Sequence, residues 1–233
     1  DGWIDYTGPI VLEKTSTVLT QAVATAGLIA LGYEDSNLEF ADFTVRCATP
    51  TFNVASGIKY GETELLILCD TPDAVIRFTA GESPEDPTPT TGTEDYYLVM
   101  DGGIGSGETS ITVKAIATKE GCETSAVASS GTYTFKCGAV VATDVTVSGT
   151  ELSATLSSKT GGVETVGASI AYDLTLEDEG SVLFYSSGSV VSGGQITASG
   201  SGYDLAIATI TSAVATKDGY QDSDEFSGQI YPL

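Results

Sequence analysis

An internal repeat limits the folds open to this chain. Three segments carry an Ala-Val-Ala-Thr or Ala-Ile-Ala-Thr pattern followed by a glycine and then a serine, and they begin at residues 22, 115 and 213. The patterns are therefore 93 and 98 residues apart. A period of about 100 residues is that of one small β-sandwich domain. The repeat predicts tandem β-sandwiches.

Local sequence predicts strands and turns within each repeat. Ser110–Thr118 is β-branched and alternating, with alanines near its end that let a facing sheet approach closely. Gly121 and Gly219 predict hairpin turns, since glycine adopts the positive φ that such turns need. No window has a convincing helical period, and the abundant threonine, valine, serine and glycine favour strands and turns. The chain is therefore predicted to be all-β.

Closing strands at residues 43–45, 133–135 and 228–231 place domain boundaries near Cys47 and Cys137. Residues 48–137 are then predicted to form a complete repeat, and residues 138–233 a divergent one. The strands predicted within these two ranges are residues 51–54, 64–69, 75–79, 96–99, 110–118, 132–135, 144–147 and 152–156.

Two segments carry motifs of a known repeat family. They are Ile76-Arg77-Phe78-Thr79-Ala80-Gly81 followed by Pro84, Pro87-Thr88 and Tyr96, and Tyr6-Thr7-Gly8-Pro9-Ile10-Val11-Leu12. With residues 113–117, Gly121 and Ser125, they resemble the immunoglobulin- and fibronectin-like repeat named after the C-terminal domain of chitobiase and β-hexosaminidase. The family pattern is Y-T-x-D-G-x-x-P-T followed by a later Tyr. The match is best in residues 1–36 and 74–135, whereas the third repeat lacks the D-G-x-x-P-T part of the pattern.

This resemblance implies tandem immunoglobulin-like β-sandwiches and a non-catalytic role. In the enzymes that name the family, the repeat is an appendage and a separate barrel carries catalysis. Similar repeats serve as spacers and surface modules in large bacterial exported proteins. The resemblance therefore implies an extracellular or cell-surface location.

The register of the match makes the first repeat incomplete. Asp1-Gly2 aligns with the middle of a repeat, so residues 1–47 supply only the C-terminal half of a sandwich. Half a sandwich exposes an apolar sheet face and an open strand edge. Either the chain is a fragment of a longer repeat protein, or another molecule supplies the missing strands. Both alternatives predict an extended, multi-copy assembly.

Charge and the absence of histidine exclude several classes of function. The chain has 32 acidic and 9 basic residues, a formal net charge of −23, so nucleic acid and anionic lipid are not expected partners. It has no histidine, which excludes Ser-His-Asp and Cys-His relays and imidazole zinc sites. The longest apolar runs are too short to span a bilayer, so no membrane insertion is expected.

The four cysteines suggest a disulfide framework in an exported protein. Cys69 and Cys122 are expected at one pole of the middle sandwich, and we predict a disulfide between them. Cys47 and Cys137 occupy equivalent junctions at opposite ends of that repeat. They are left open to intermolecular cross-links, to pairing with Cys69 or Cys122, or to remaining reduced.

The acidic and aromatic side chains allow two kinds of ligand site, one for calcium and one for a sugar, although both sets of residues can also belong to solvated loops or to the core. Carboxylates are hard oxygen ligands that suit calcium, although no twelve-residue calcium loop is present. Sugar sites use exposed aromatic platforms, and paired carboxylates without a pocket do not indicate a glycosidase. The calcium candidates are Asp218, Asp222, Asp224, Glu177, Asp178 and Glu179, and the sugar-binding candidates are Trp3, Tyr6, Tyr96 and Tyr97.

The sequence thus predicts a non-catalytic structural module of an extracellular filament, sheath or surface stalk. It would assemble end to end with copies of itself, through strand complementation of residues 1–47 and disulfide links. The alternative is a carbohydrate-binding or adhesive accessory module of a larger secreted protein. No cofactor other than calcium is expected.

Overall fold

The computed structural model describes residues 7–103, 108–148, 151–178, 181–199 and 207–230. One short helix, α1 (Ala26–Ile29), interrupts an otherwise all-β chain in these ranges. The strands are β1 (Ser16–Thr20), β2 (Glu39–Phe43), β3 (Thr51–Phe52), β4 (Gly57–Lys59), β5 (Thr63–Leu68), β6 (Val75–Gly81), β7 (Thr93–Glu94), β8 (Tyr97–Met100), β9 (Ser110–Thr118), β10 (Ala128–Phe135), β11 (Val140–Ser148), β12 (Glu151–Thr160), β13 (Val163–Glu164), β14 (Ser169–Asp178), β15 (Ser181–Val191), β16 (Gly194–Ser199), β17 (Ile207–Thr216) and β18 (Phe226–Ile230).

We use the predicted ranges as names: the first segment (residues 1–47), the second module (48–137) and the third module (138–233). The second module is a sandwich of two sheets, in the strand orders β4-β10-β9-β6-β7 and β3-β5-β8. The third module also has two sheets, β11-β12-β13 with β16 on β12, and β15-β14-β17-β18. The tandem sandwich architecture predicted from the repeat is confirmed.

Alternating side chains explain how each sheet buries one face. Along β9, Ile111, Val113 and Ala115 are buried, whereas Thr112 and Lys114 between them are partly exposed. Along β12, Leu152, Ala154, Leu156 and Ser158 are buried at every second position. Each buried Leu or Ile side chain stabilises the fold by about 1.5–3 kcal/mol relative to its exposed state. The period of two seen in the sequence is therefore the period of burial.

The first segment has only half of this architecture. Its two strands pair antiparallel, with Ser16 opposite Phe43, and they have no facing sheet in the part of the chain that the structure describes. None of residues 7–46 is buried. Phe43 is 45% exposed, whereas Tyr133, at the matching position in β10, is 0% exposed. In the described residues the first segment is therefore an open two-stranded sheet, and the incompleteness of its repeat stays a prediction.

Both predicted hairpin turns are present. The Cys122 N–H donates to the Lys119 carbonyl (3.1 Å), and the Tyr220 N–H donates to the Lys217 carbonyl (3.0 Å). Gly121 and Gly219 adopt φ of 78° and 75°, which other residues rarely adopt. The prediction that glycine adopts a positive φ at both turns is therefore confirmed.

The first segment departs from the expected alignment in two ways. Residues 25–32 form α1 and its end, where the other repeats have the tight turn, although no helix is predicted there. The Ser36 N–H donates to the Ala22 carbonyl, and the Ser36 hydroxyl accepts the Ala22 N–H. The alignment of the repeats predicts these two bonds with Ala24 instead. The insertion between Thr25 and Gly32 is long enough for one helical turn, and it shifts the strand register by two residues.

Candidate functional site: the joints between modules

The end of the first segment pairs with the turn of the second module. The Cys47 N–H donates to the Glu123 carbonyl (3.0 Å), and the Glu123 N–H donates to the Val45 carbonyl (2.8 Å). The Thr15 N–H donates to the Gly121 carbonyl (2.8 Å). We call these contacts the first joint.

The second joint repeats all three backbone bonds between the second and third modules. The Cys137 N–H donates to the Gln221 carbonyl (2.8 Å), and the Gln221 N–H donates to the Phe135 carbonyl (2.8 Å). The Gly103 N–H donates to the Gly219 carbonyl (3.0 Å). The closing strand of one unit therefore docks in parallel on the turn of the next unit, and it does so twice in one chain.

Side chains at the turn position after the glycine reach back to the preceding unit at both joints. At the first joint, the Cys122 thiol donates to the Glu13 carbonyl (3.4 Å). At the second joint, the Tyr220 hydroxyl donates to the Asp101 carboxylate (2.6 Å), and Lys217 forms an ion pair with Asp101 (2.8 Å). Cys122 and Tyr220 are therefore equivalent residues with different side chains.

The second joint is apolar as well as hydrogen-bonded. The ring of Tyr220 lies edge-on to the ring of Phe135, with centroids 5.5 Å apart, and both side chains belong to the buried core. The Lys217 ammonium lies 4.6 Å from the centroid of the Tyr220 ring. The Thr165 hydroxyl donates to the Tyr60 carbonyl (2.6 Å) and accepts the Gly138 N–H (3.0 Å). These contacts join the cores of the two modules.

The Asp101 carboxylate is stabilised in its charged form. Burial on its own would raise the pKa of Asp101, but hydrogen bonds from Lys217 and Tyr220 and the charge of Lys217 lower it overall. The pKa of the Tyr220 hydroxyl is strongly raised, first by burial and then by the Asp101 carboxylate that accepts its proton. At neutral pH, the second joint is therefore held by a charged acceptor and a neutral donor.

An exposed ion pair flanks each joint. Arg46 pairs with Glu123 at the first joint, and Lys136 pairs with Asp224 at the second joint, both at 2.7 Å. Solvent-exposed pairs of this kind contribute only about 0–1 kcal/mol. These two pairs therefore contribute little to holding the joints together.

Three of the four cysteines gather at the first joint, all as free thiols. The Cys122 and Cys69 thiols are both near enough to Cys47 to affect its thiol. Burial raises the pKa of the Cys47 thiol, and the two neighbouring thiols raise it further. Cys137 lies at the second joint, where burial raises its pKa to about 11. The predicted Cys69–Cys122 pairing stays a prediction.

The described calcium candidates, Asp218, Asp222 and Asp224, lie in and just after the turn that contains Gly219. Asp224 pairs with Lys136. No three acidic or cysteine side chains within the described ranges are grouped as a metal site. Glu177 and Asp178 lie at the end of β14, their side chains are outside the described set, and Glu179 lies outside the described residues. Calcium binding stays a prediction.

The sugar-binding candidates separate into two groups. Trp3 and Tyr6 lie outside the described residues. Tyr96 and Tyr97 are adjacent at the start of β8, 63% and 38% exposed. Partial burial and then a hydrogen bond with Glu64 raise the pKa of Tyr97. Tyr97 is therefore a partly exposed ring beside an acidic side chain.

The described surface has two notable depressions. One lies over β14, β15 and β17 and is lined by Tyr172, Asp173 and Ser187 among others. The second lies beside the first joint and is lined by Glu13, Lys14 and Lys119 among others. No helix in the described part of the chain is long and apolar enough to cross a membrane.

No protein-family model matches the chain, and no curated protein matches it. Among solved structures, it is similar to a segment of two fibronectin type III domains from chicken tenascin, with 11% identity over 79% of this chain and 98% of that one and a TM-score of 0.36. It is also similar to fibronectin(III)-like modules of Clostridium thermocellum CbhA, with 16% identity, coverages of 78% and 93%, and a TM-score of 0.27. A third similar structure is the D00-D0 domain of intimin, with 12% identity, coverages of 79% and 98%, and a TM-score of 0.29.

The structural neighbours thus include fibronectin type III modules. The sandwich fold of this chain is assigned on its own strand pairing and alternating burial. The more specific resemblance to the chitobiase-type repeat stays a prediction.

Proposed function

We propose that this chain is a non-catalytic structural module of an extracellular filament, sheath or surface stalk, and that it assembles end to end with copies of itself. The observation that carries the proposal is the recurrence of the same three backbone hydrogen bonds at both joints. A contact made by backbone atoms is insensitive to side-chain identity, so it can be repeated along an array of divergent units.

The first segment has a helical connection in place of the tight turn, but the serine that follows it makes the same pair of bonds to the preceding strand. The Ser36 N–H donates to the Ala22 carbonyl (2.8 Å), and the Ser36 hydroxyl accepts the Ala22 N–H (2.9 Å), as the serines after the other two turns do with their own strands. Residues 32–36 are exposed. We propose that the closing strand of another copy docks there.

The uncovered sheet of the first segment supports strand complementation. Its inner-face positions, Val18 and Phe43, match Val113 and Tyr133 of the second module, which are fully buried by a facing sheet. An apolar sheet face with an open edge is a template for added strands. In the proposed assembly, another copy supplies the strands that cover this face.

The acidic charge shapes how such an assembly would behave. A net charge of −23 makes copies repel one another, so assembly needs a specific contact to overcome the repulsion. Screening by salt weakens this repulsion. We therefore expect polymers to lengthen as ionic strength rises, without lateral clumping.

Electron microscopy and sedimentation velocity of the full chain test the proposal. Phe43→Ser alters the inner face of β2, whereas Phe40→Ser makes the same change on its outer face, opposite Leu19. The unaltered chain and Phe40→Ser should form filaments or end-to-end oligomers, and Phe43→Ser should remain monomeric. Hydrogen exchange in residues 7–46 should slow on assembly in the first two proteins only.

A different result would contradict this proposal. It is wrong if the unaltered chain is monomeric at micromolar concentration with residues 7–46 already protected. It is also wrong if both phenylalanine variants assemble equally well.

The adjacent exposed pair Tyr96 and Tyr97 favours one alternative, a carbohydrate-binding or adhesive accessory module of a larger secreted protein. Such a module would be retained on chitin or a related glycan. Tyr97→Ala should abolish retention, and Tyr33→Ala, which removes an exposed ring of the first segment, should not. Retention without filament formation would favour the alternative.

A further inference from the structure

Three different parts of the chain supply the three thiols at the first joint. Cys47 ends the first segment, Cys69 follows β5, and Cys122 lies in the turn between β9 and β10. The Cys69 thiol donates to the Ala48 carbonyl (3.3 Å) and accepts the Thr71 N–H (3.4 Å), which fixes it beside the residue that follows Cys47.

The backbone places Cys47 and Cys122 on one side of the joint. Arg46 and Glu123 are partners in a parallel bridge, so the residues next to them, Cys47 and Cys122, both point to the opposite side. The bonds between Cys47 and Glu123 and between Glu123 and Val45 lock this register. The Cys122 thiol is also near enough to Cys47 to contribute to the raised pKa of the Cys47 thiol.

The two joints differ in the residue that follows the turn glycine. The second joint has Cys137 at the position of Cys47, and Tyr220 at the position of Cys122. There the tyrosine anchors the joint through Asp101, Lys217 and Phe135. At the first joint, the bond that the described residues show for the Cys122 side chain is the one to the Glu13 carbonyl.

We propose that Cys47 and Cys122 form a disulfide that links the first segment covalently to the second module. At the second joint, the contacts of Tyr220 take the place of this bond. This bond lies within one chain and forms whether or not copies of the chain assemble. It therefore goes beyond the proposed filament function and can be true when that function is wrong.

The bond requires a disulfide oxidant, such as oxidised glutathione. The more exposed Cys122 thiol loses its proton and attacks one glutathione sulfur, which releases one glutathione thiol and leaves a mixed disulfide on Cys122. Cys47 then loses its proton and attacks the Cys122 sulfur, which forms the protein disulfide and releases the second glutathione thiol. Two protein thiols are oxidised, and one glutathione disulfide is reduced to two thiols that carry the two protons.

Trypsin maps the product because it separates all four cysteines. Cleavage after Arg46, Lys59, Arg77, Lys119, Lys136 and Lys159 places Cys47 in peptide 47–59, Cys69 in 60–77, Cys122 in 120–136 and Cys137 in 137–159. The folded full chain is incubated with oxidised glutathione, and remaining thiols are blocked with N-ethylmaleimide. The intact mass should fall by two hydrogen atoms before blocking, and peptide 47–59 should be joined to peptide 120–136.

Single serine variants provide matched controls. Cys47→Ser and Cys122→Ser should each lose the linked peptide, whereas Cys69→Ser and Cys137→Ser should keep it. Circular dichroism before oxidation establishes that each variant is folded. A principal product that links 60–77 to either other peptide overturns the proposal, as does complete alkylation of all four cysteines in the folded, oxidant-treated chain.

Discussion

The Tyr220 hydroxyl donates a hydrogen bond of 2.6 Å to the Asp101 carboxylate across the second joint. Tyr220 is buried, and it belongs to a turn of the third module, whereas Asp101 follows the last strand of one sheet of the second module. The bond therefore connects two sandwiches that share no continuous strand ladder in the described residues. Contacts of this kind limit how freely one module can move relative to the next.

Removal of the hydroxyl should loosen the second joint without unfolding either module. Tyr220→Phe keeps the ring against Phe135 but loses the bond to Asp101, and we expect a loss of about 1 kcal/mol. Hydrogen exchange should accelerate in peptides that contain Gly103 and Gln221. Tyr33→Phe, the same change at the equivalent but exposed turn position of the first segment, should leave exchange unaltered. Equal effects of the two variants would contradict the importance of this bond.

The joint should weaken in acid because Asp101 has a lowered pKa. A carboxylate with a lowered folded pKa stabilises the folded state above its unfolded pKa, about 4, and the stabilisation disappears as the pH falls through the folded pKa. The stability difference between the unaltered chain and Asp101→Asn should therefore be largest near neutral pH and shrink below pH of about 4.

Urea unfolding at several pH values measures this difference. Asp86→Asn is the control, since it removes one carboxylate from an ion pair with Lys114 within the second module. A difference between the unaltered chain and Asp101→Asn that stays constant from neutral to acidic pH would show that Asp101 is not the titrating group.

The serine after each turn should stabilise the strand that precedes it. The Ser223 hydroxyl accepts the Ala215 N–H and donates to the Asp224 carbonyl, both at 2.9 Å, and Ser223 is buried. Ser223→Ala leaves a buried N–H without its acceptor, so we expect a loss of about 1–3 kcal/mol in urea unfolding. Ser36→Ala removes the same bond to Ala22 in an exposed setting, where water can replace it, and should cost less than about 0.5 kcal/mol.

Much of the fold could be predicted because it is encoded locally. The strand Ser110–Thr118 was predicted with its observed ends, since its alternation directly reports which side chains are buried. The two turns at Gly121 and Gly219 could be predicted equally well, because each needs a positive φ that glycine adopts readily. In contrast, Ser181–Val191 pairs along its length with β14 but was not predicted, because its apolar start, residues 182–185, is followed by Ser186-Ser187-Gly188-Ser189, which is typical of a turn. Its pairing depends on partners that sequence alone does not identify.

The candidate site was harder to predict because it forms between units. Cys47 and Cys122 meet only because residues 77 positions apart, Arg46 and Glu123, pair across the joint. The sequence did contain a signal: Cys47 and Cys137 both follow a closing strand, and Cys122 and Tyr220 both follow a turn glycine. That equivalence indicates two related joints, but not that each closing strand docks on the next turn.

If the two joints are equivalent, a thiol at residue 220 should pair with Cys137. Tyr220→Cys places at the second joint the same residue types that face each other at the first joint, and both are presented by the same three backbone bonds. After treatment with oxidised glutathione, trypsin should yield peptide 137–159 joined to peptide 218–233. Tyr220→Ser carries the same loss of the aromatic ring, so it controls for loosening of the joint and should give no such product. Failure of Tyr220→Cys to cross-link, in a variant whose circular dichroism matches that of Tyr220→Ser, would mean that the shared backbone register does not bring the two side chains together.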